Sequence, residues 1–269
     1  MALLHALLLG IIEGLTEFLP ISSTGHLLVA ENLIGYKDAA ELFTVVIQVG
    51  AIGAIILYYR DDLLGRTLAL FKRDKKAISF WKNWIIATIP AGLFGLALDK
   101  KFSTLATLPI VACALILGGF AILAVENHVA SRRIKPVQPD LDSLTIKQSL
   151  QVGMYQILSL IPGVSRSGAT IMGGLMSGID RSTATAFSFY LSLPILILAS
   201  GYKLIKDGDK LSQISGGSSA LIVGTIAAFF SALVVVKWLL KYVAHHDFKI
   251  FAYYRISLGL LILVSLALF

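Results

Sequence analysis

The sequence predicts an all-α integral membrane protein, with six full transmembrane helices plus two re-entrant helical hairpins arranged as an inverted-topology repeat. Three observations carry this expectation. Hydrophobic residues make up 57% of the 269-residue chain and charged residues 14%, against roughly 45–50% and about 25% in soluble domains. Apolar runs recur that are long enough for helices of about 20 residues, the length that crosses about 30 Å of hydrocarbon. Two polar, proline-bearing stretches interrupt those runs, and they resemble each other.

The first element is an apolar segment that runs into Glu13-Gly-Leu-Thr-Glu-Phe-Leu-Pro-Ile-Ser-Ser-Thr-Gly-His26. Proline removes a backbone donor and breaks the helix, and non-helical backbone at membrane depth is tolerated only where protein or a wet cavity satisfies it. Residues 1–38 are therefore expected to enter and leave on one side, with full spans near 40–59, 83–98 and 107–125. Residues 146–180 repeat the hairpin, and spans near 184–203, 219–240 and 251–269 complete the chain. The repeats are thus 1–130 and 146–269, joined by a cytoplasmic linker at 131–145 within one membrane domain.

Internal similarity supports the division. Glu17-Phe-Leu-Pro-Ile-Ser-Ser-Thr-Gly25 resembles Ser159-Leu-Ile-Pro-Gly-Val-Ser-Arg-Ser-Gly168 with one residue inserted. Ile85–Ala91 aligns with Ile222–Ala228, and Leu117-Gly118 with Leu258-Gly259. Three spans per repeat is an odd number, so the second half enters the membrane upside down, a topology that places a site at the midplane between halves.

Charge placement gives the orientation. Sixteen Lys and Arg fall in 60–82, 126–147, near 181 and in 237–255, against six in the alternate loops, Arg166 aside. Positive-inside bias puts the first set in the cytoplasm and both ends outside. The net charge of +7 belongs to these flanks, so the bilayer and not nucleic acid is the expected partner. Cys113 is a lone cysteine and allows no intrachain disulfide. Met1 to Gly10 lacks a basic n-region, so the first helix is expected to be retained.

The hairpins hold the chemistry. A charge at the bilayer centre costs about 2.5–3.5 kcal/mol on insertion scales and marks function by default. Glu13 and Glu17, four apart on one helix face, lie about 5–6 Å from each other at Cβ. Such a pair suits a divalent cation, Mg²⁺ or Ca²⁺, or a base beside a metal ligand. Ser22, Ser23, Thr24 and His26 follow. A hydroxyl near a histidine and a carboxylate is the arrangement that activates serine, and imidazole itself attacks phosphorus; the hydroxyls also suit a helix cap. The second hairpin offers Gly163, Ser165, Arg166, Ser167 and Thr170, a glycine, hydroxyl and arginine cradle for an anion. Together they describe a site for a phosphate ester or diphosphate. Gln48, in an otherwise apolar span, and Tyr155 and Gln156, at the position analogous to Glu13, are weaker candidates.

These motifs, Glu13-x-x-x-Glu17, Ser22 to His26 and Pro162 to Thr170, resemble those of the undecaprenyl-diphosphate phosphatase family linked to bacitracin resistance, and the resemblance extends over essentially the whole chain. It implies hydrolysis of undecaprenyl diphosphate, a polyprenyl diphosphate lipid, to undecaprenyl phosphate and inorganic phosphate. It also implies a bacterial plasma (inner) membrane, a divalent cation, and a site opening to the periplasmic or extracellular side. On that reading Glu13 and Glu17 hold metal. Ser23, His26, Glu17 and Arg166 are catalytic, and Ser22, Thr24, Gly163, Ser165, Ser167 and Thr170 join Arg166 in binding substrate. Ser23 with His26 as acid–base partner is the favoured pairing, with His26 or water as alternative attackers. A transporter or flippase of a lipid phosphate is the second function class, since broken hairpins in inverted repeats also build transporters.

Overall fold

The computed structural model describes residues 1–36, 38, 42–130 and 139–268, without the side chains of 99–103 and 212. Eleven α-helices and no strand make up the described residues. Helices α1 (Ala2–Thr16) and α2 (Ser23–Ile34) flank the first break; α3 (Leu42–Tyr58), α4 (Arg60–Phe71), α5 (Lys75–Ser103) and α6 (Leu108–Val129) follow. Helices α7 (Ile146–Gln156) and α8 (Arg166–Met176) flank the second break, before α9 (Arg181–Asp207), α10 (Gly217–Val243) and α11 (Lys249–Leu268). Of the expected linker, residues 131–138 lie outside the described residues, as does Lys37.

Local sequence sets the boundaries. Gly35 ends α2 in the left-handed conformation (φ 64°) that glycine adopts without a Cβ clash. Thr145 and Gln148 form a reciprocal capping box at the start of α7, which satisfies two orphan donors. Pro109 stands in the first turn of α6, where its missing N–H costs nothing. Pro90 and Pro194 lie inside α5 and α9, which run on through them.

Helices α6, α9, α10 and α11 are each long and apolar enough to cross a membrane, and α3 with α4 adds a fifth such segment bent by 71°. The six expected spans fall on α3, α5, α6, α9, α10 and α11. Their burial separates centre from rim. The apolar window of α9 is 67% buried, against 28–39% for α6, α10 and α11, so α9 is the central helix. Phe18, Ile55, Ile171, Phe189 and Val236 meet in the main core, while Leu117, Phe230 and Leu261 are exposed on outer faces.

Packing pairs recur across the two halves. Helix α1 lies on α10 and α7 on α5, while α6 lies on α11 and α3 on α9. A Cβ on Gly10 would strike the Gly224 carbonyl, and one on Gly153 the Ala87 carbonyl; Ala87 and Gly224 are equivalent in the alignment above. Gly119 faces the Ala252 carbonyl and Ile256, and Gly259 faces the Ala112 carbonyl and Ile116. That reciprocal contact makes α6 and α11 antiparallel. It also pairs Gly259 with Gly119, one residue from the expected Gly118, because Gly118 makes room for the Arg255 guanidinium.

Gly10→Leu and Gly153→Leu, which drive a side chain into backbone, are each expected to destabilise by about 1–3 kcal/mol or more, read as a lowered thermal midpoint in detergent. Gly65→Leu on α4, where a Cβ meets nothing within 4 Å, is expected to leave the midpoint unchanged or raised.

Candidate active site

Both breaks place an expected site residue at the first position of a helix. Helix α1 buries Glu13 and ends at Thr16, leaving Glu17 as its C-terminal cap. The chain turns at Leu19-Pro20-Ile21, and Ser22 caps α2 by accepting from the Gly25 N–H at 3.4 Å. Its φ of 72° is positive for a residue with a Cβ, a backbone state that costs on the order of 1–3 kcal/mol and persists only when its surroundings impose it. Ser23 follows as the first residue of α2. In the second break Gly163 has φ 92°, and the place of its missing Cβ is taken by Ala114 and the Val111 backbone. Ser165 caps α8 by accepting from the Gly168 N–H at 3.1 Å, and Arg166 is the first residue of that helix. Two helix N-termini, the favoured setting for an anion, thus carry Ser23 and Arg166.

The two meet on one carboxylate. Ser23 Oγ donates to Glu17 Oε2 at 2.5 Å, and Arg166 Nη2 donates to Glu17 Oε1 at 2.9 Å. Arg166 also donates through Nη1 to the Ser188 carbonyl at 3.1 Å, and its guanidinium lies 5.8 Å from the Phe18 ring centre. Glu17 and Arg166 are both nearly buried. Removing one member of such a pair strands the other charge, a loss of about 3–5 kcal/mol.

Glu13 is different. It is fully buried and neither carboxylate oxygen has a hydrogen-bond partner, and Arg166 Nε and both amide atoms of Gln156 are likewise unmatched. A buried carboxylate without donors is held by a proton or a cation, so of the two glutamates Glu13 has ligand capacity to spare. No group of three or more His, Cys, Asp or Glu able to hold a metal occurs among the described residues. The unmatched oxygens of Glu13, four residues before Glu17, are donors of the type that an ion of the Mg²⁺ kind uses, one or two carboxylates with water and phosphate oxygens completing its shell.

The remaining expected residues divide by role. Ser165 Oγ and Ser167 Oγ both reach the Leu19 carbonyl, at 3.3 and 2.7 Å, and each other at 2.8 Å, so they lock one break against the other. Thr170 donates to the Arg166 carbonyl at 2.9 Å and contacts Ser188 Oγ at 2.7 Å. Glu17, not His26, stands on the Ser23 hydroxyl. His26 Nδ1 lies 2.7 Å from the Ser22 carbonyl, and because a carbonyl only accepts, the proton is on Nδ1. In the neutral ring Nε2 then accepts from the Tyr254 hydroxyl at 2.7 Å, with the two rings parallel to within 2°. Thr24 and Pro162 open onto a cavity of about 690 Å³ whose polar lining includes Glu31, Thr44, Gln48 and Lys203.

Comparison with known proteins gives this constellation its context. The family described as bacitracin resistance protein BacA matches residues 6–261. The chain belongs to this family. It is similar to undecaprenyl-diphosphatase 1 of Burkholderia ambifaria, 47% identical over 96% of this chain and 94% of that protein. It is also similar to the undecaprenyl-diphosphatases of Methylobacillus flagellatus, at 45% over 97% of both chains, and Clostridium tetani, at 43% over 99% and 97%.

One residue of this BacA family chain escaped sequence reasoning. Arg255 was expected in the basic loop 237–255; it lies within α11, 2% exposed. Its guanidinium donates to the carbonyls of Pro20 (3.1 Å), Ala114 (3.1 Å), Leu115 (3.3 Å) and Gly163 (3.1 Å), and so holds the turn of each break. The available signal was its distance from the start of the final span, nearly two helical turns past Lys249. Arg255→Met leaves the Pro20 and Gly163 carbonyls of the two breaks without their donor, at about 1–3 kcal/mol for each group left unmade, and takes a second donor from the helical Ala114 and Leu115 carbonyls; the expected result is a large loss of folded protein. Arg255→Lys, a point donor without the planar fork, is expected to fall between, as measured by thermal midpoint.

Proposed function

We propose that this chain hydrolyses undecaprenyl diphosphate to undecaprenyl phosphate and inorganic phosphate, recycling the lipid carrier for cell-wall synthesis and conferring bacitracin resistance. The observation that carries the reading is Glu17 bridging the Ser23 hydroxyl and the Arg166 guanidinium. Glu17 Oε2 takes the Ser23 proton as Ser23 Oγ attacks the terminal phosphorus. The Oγ–P bond forms, the bond from that phosphorus to the bridging oxygen breaks, and undecaprenyl phosphate departs with the electron pair. Water then cleaves the phosphoserine, yielding phosphate and free Ser23. Arg166 turns its guanidinium, including the unmatched Nε, to the phosphate oxygens where charge develops. His26, pinned by Ser22 and Tyr254, holds the start of α2 in register. Glu13, with Glu17 beside it, would hold Mg²⁺ or Ca²⁺; when bound, the ion neutralises diphosphate charge.

The architecture behind this site is an inverted repeat of six spans and two re-entrant hairpins. Its support is the reciprocal, antiparallel contact of α6 with α11 and the matching glycine contacts of α1 on α10 and α7 on α5. The inner membrane of a bacterium is the location, with the site opening to the periplasmic or extracellular side. Cavity-lining Glu31, Leu96, Ala106 and Lys203 neighbour the loops that charge bias puts outside. Towards the other face, Arg181 pairs with Glu126, which also accepts from the Phe248 N–H at 3.0 Å, and Arg66 pairs with Asp142. A lipid-phosphate carrier has less need for a serine hydroxyl on a carboxylate, so the Ser23–Glu17 contact favours hydrolysis over transport.

Purified protein in detergent is expected to release phosphate from undecaprenyl diphosphate with Mg²⁺ or Ca²⁺ and to stop on addition of EDTA. Ser23→Ala, Glu17→Gln and Arg166→Ala each lower kcat by about 10²–10³ or more, the scale of losing one transition-state contact. Glu13→Gln raises the metal concentration for half-maximal rate. Folded wild type that releases no phosphate across metals and pH would sink the phosphatase, and vesicle transport of a lipid phosphate would then be measured.

A further inference from the structure

Most helix glycines of this chain sit where neighbouring backbone or side chains press against them, as Gly10, Gly119 and Gly153 do. Three do not. A Cβ on Gly92 or Gly201 would meet nothing within 4 Å, and one on Gly95 only Leu160 Cδ2 at 3.4 Å. All three line the cavity of about 690 Å³, Gly92 and Gly95 on α5 just past Pro90 and Gly201 on α9 beyond Pro194. Glycine is disfavoured inside a helix relative to alanine, and packing supplies no compensation here. What a missing Cβ offers at such a place is close approach of backbone and ligand.

The cavity adjoins the two breaks. Its volume falls within the roughly 300–1,000 Å³ of small-molecule sites. Thr24 and Pro162 border it, and these residues adjoin Ser23 and the break that carries Arg166. Leu27, Leu28, Val45 and Ile195 supply apolar wall. A diphosphate held between Ser23 and Arg166 sends its tail into this chamber before the tail reaches the bilayer. We infer that Gly92, Gly95 and Gly201 set the bore through which the isoprene units nearest the diphosphate pass, and so determine which lipid diphosphates are accepted. The inference rests on the phosphatase reading above.

The test narrows the bore from either wall. Gly92→Leu, Gly95→Leu and, on the other helix, Gly201→Leu are assayed for kcat/KM with undecaprenyl and farnesyl diphosphates, and for inhibition by inorganic diphosphate, which carries no tail. The expected result is a loss of about tenfold or more with both prenyl substrates, the scale on which a pocket discriminates a few methylenes, while the inhibition constant of inorganic diphosphate moves by less than about twofold. Gly65→Leu, on α4 and outside the cavity lining, serves as the control for a leucine placed at an unpacked helix glycine and keeps the wild-type kcat/KM. Inhibition that weakens in parallel with kcat/KM, or kcat/KM unchanged in the leucine variants, would overturn the inference and leave the phosphatase standing. Wild type inactive on both prenyl substrates would instead remove the phosphatase reading, and the inference with it.

Discussion

Backbone carbonyls freed by a helix break and buried in protein have no water to turn to, and their satisfaction is the constraint on which this fold depends. Each unsatisfied group in hydrocarbon costs several kcal/mol. Two breaks meeting at one place double the demand. Arg255 answers it with a single side chain, because a planar guanidinium can donate along several directions at once; it reaches Pro20 in one break and Gly163 in the other. Ser165 and Ser167 answer part of the rest at the Leu19 carbonyl. A buried cation is itself costly, and here the cost is offset by four backbone acceptors in place of a counter-ion.

The same satisfaction makes chemistry available. With their carbonyls held, both breaks can present a helix N-terminus to one point, and Ser23 and Arg166 converge on Glu17 without a mobile loop. Hydroxyl, carboxylate and guanidinium are then arranged before a substrate arrives, which is the condition under which fixed dipoles stabilise a transition state most. Ser22 shows the tension in that arrangement. Its positive φ is unfavourable for serine, yet it lets one residue cap α2 and anchor His26 through its carbonyl.

Much of this was legible in the sequence, and for definable reasons. Composition and long apolar runs fix a helical membrane protein because hydrocarbon leaves few alternatives, and the two proline breaks stand out against that background. Glu13, Glu17, Ser23 and Arg166 were visible as polar groups where none is expected. Which hydroxyl meets which partner was not visible, since it depends on the contact between halves: Glu17 took the place expected for His26, and Ser165, Ser167 and Thr170 turned to protein groups. Arg255 was hidden by position. At the margin of a basic stretch, one more arginine looks like a solvated end, and only the fold reveals that α11 had already carried it inward. The one-residue slip between Gly118 and Gly119 has the same origin, because a small residue can answer either to a symmetric helix contact or to an arginine.

Under the inverted-repeat reading, the site is built from equivalent positions that no longer match. Ser23 and Arg166 are each the first helical residue after a capping serine, so the two halves offer a hydroxyl and a guanidinium at corresponding places. Gly10 and Gly153 make the same close contact, and three residues further on stand Glu13 and Gln156, both buried and both without partners. A scaffold with strictly repeated residues would have put two carboxylates and no amide at these places, or two arginines facing each other. Their repulsion at membrane depth would have gone unanswered. Divergence at a few positions within a repeated packing scheme resolves that conflict: one half carries the negative charge and the serine hydroxyl, the other the positive charge. The ion pair of Glu17 and Arg166 thus follows from the asymmetry of the residues, whereas the close approach of the helices that carry them follows from glycine contacts that recur in both halves.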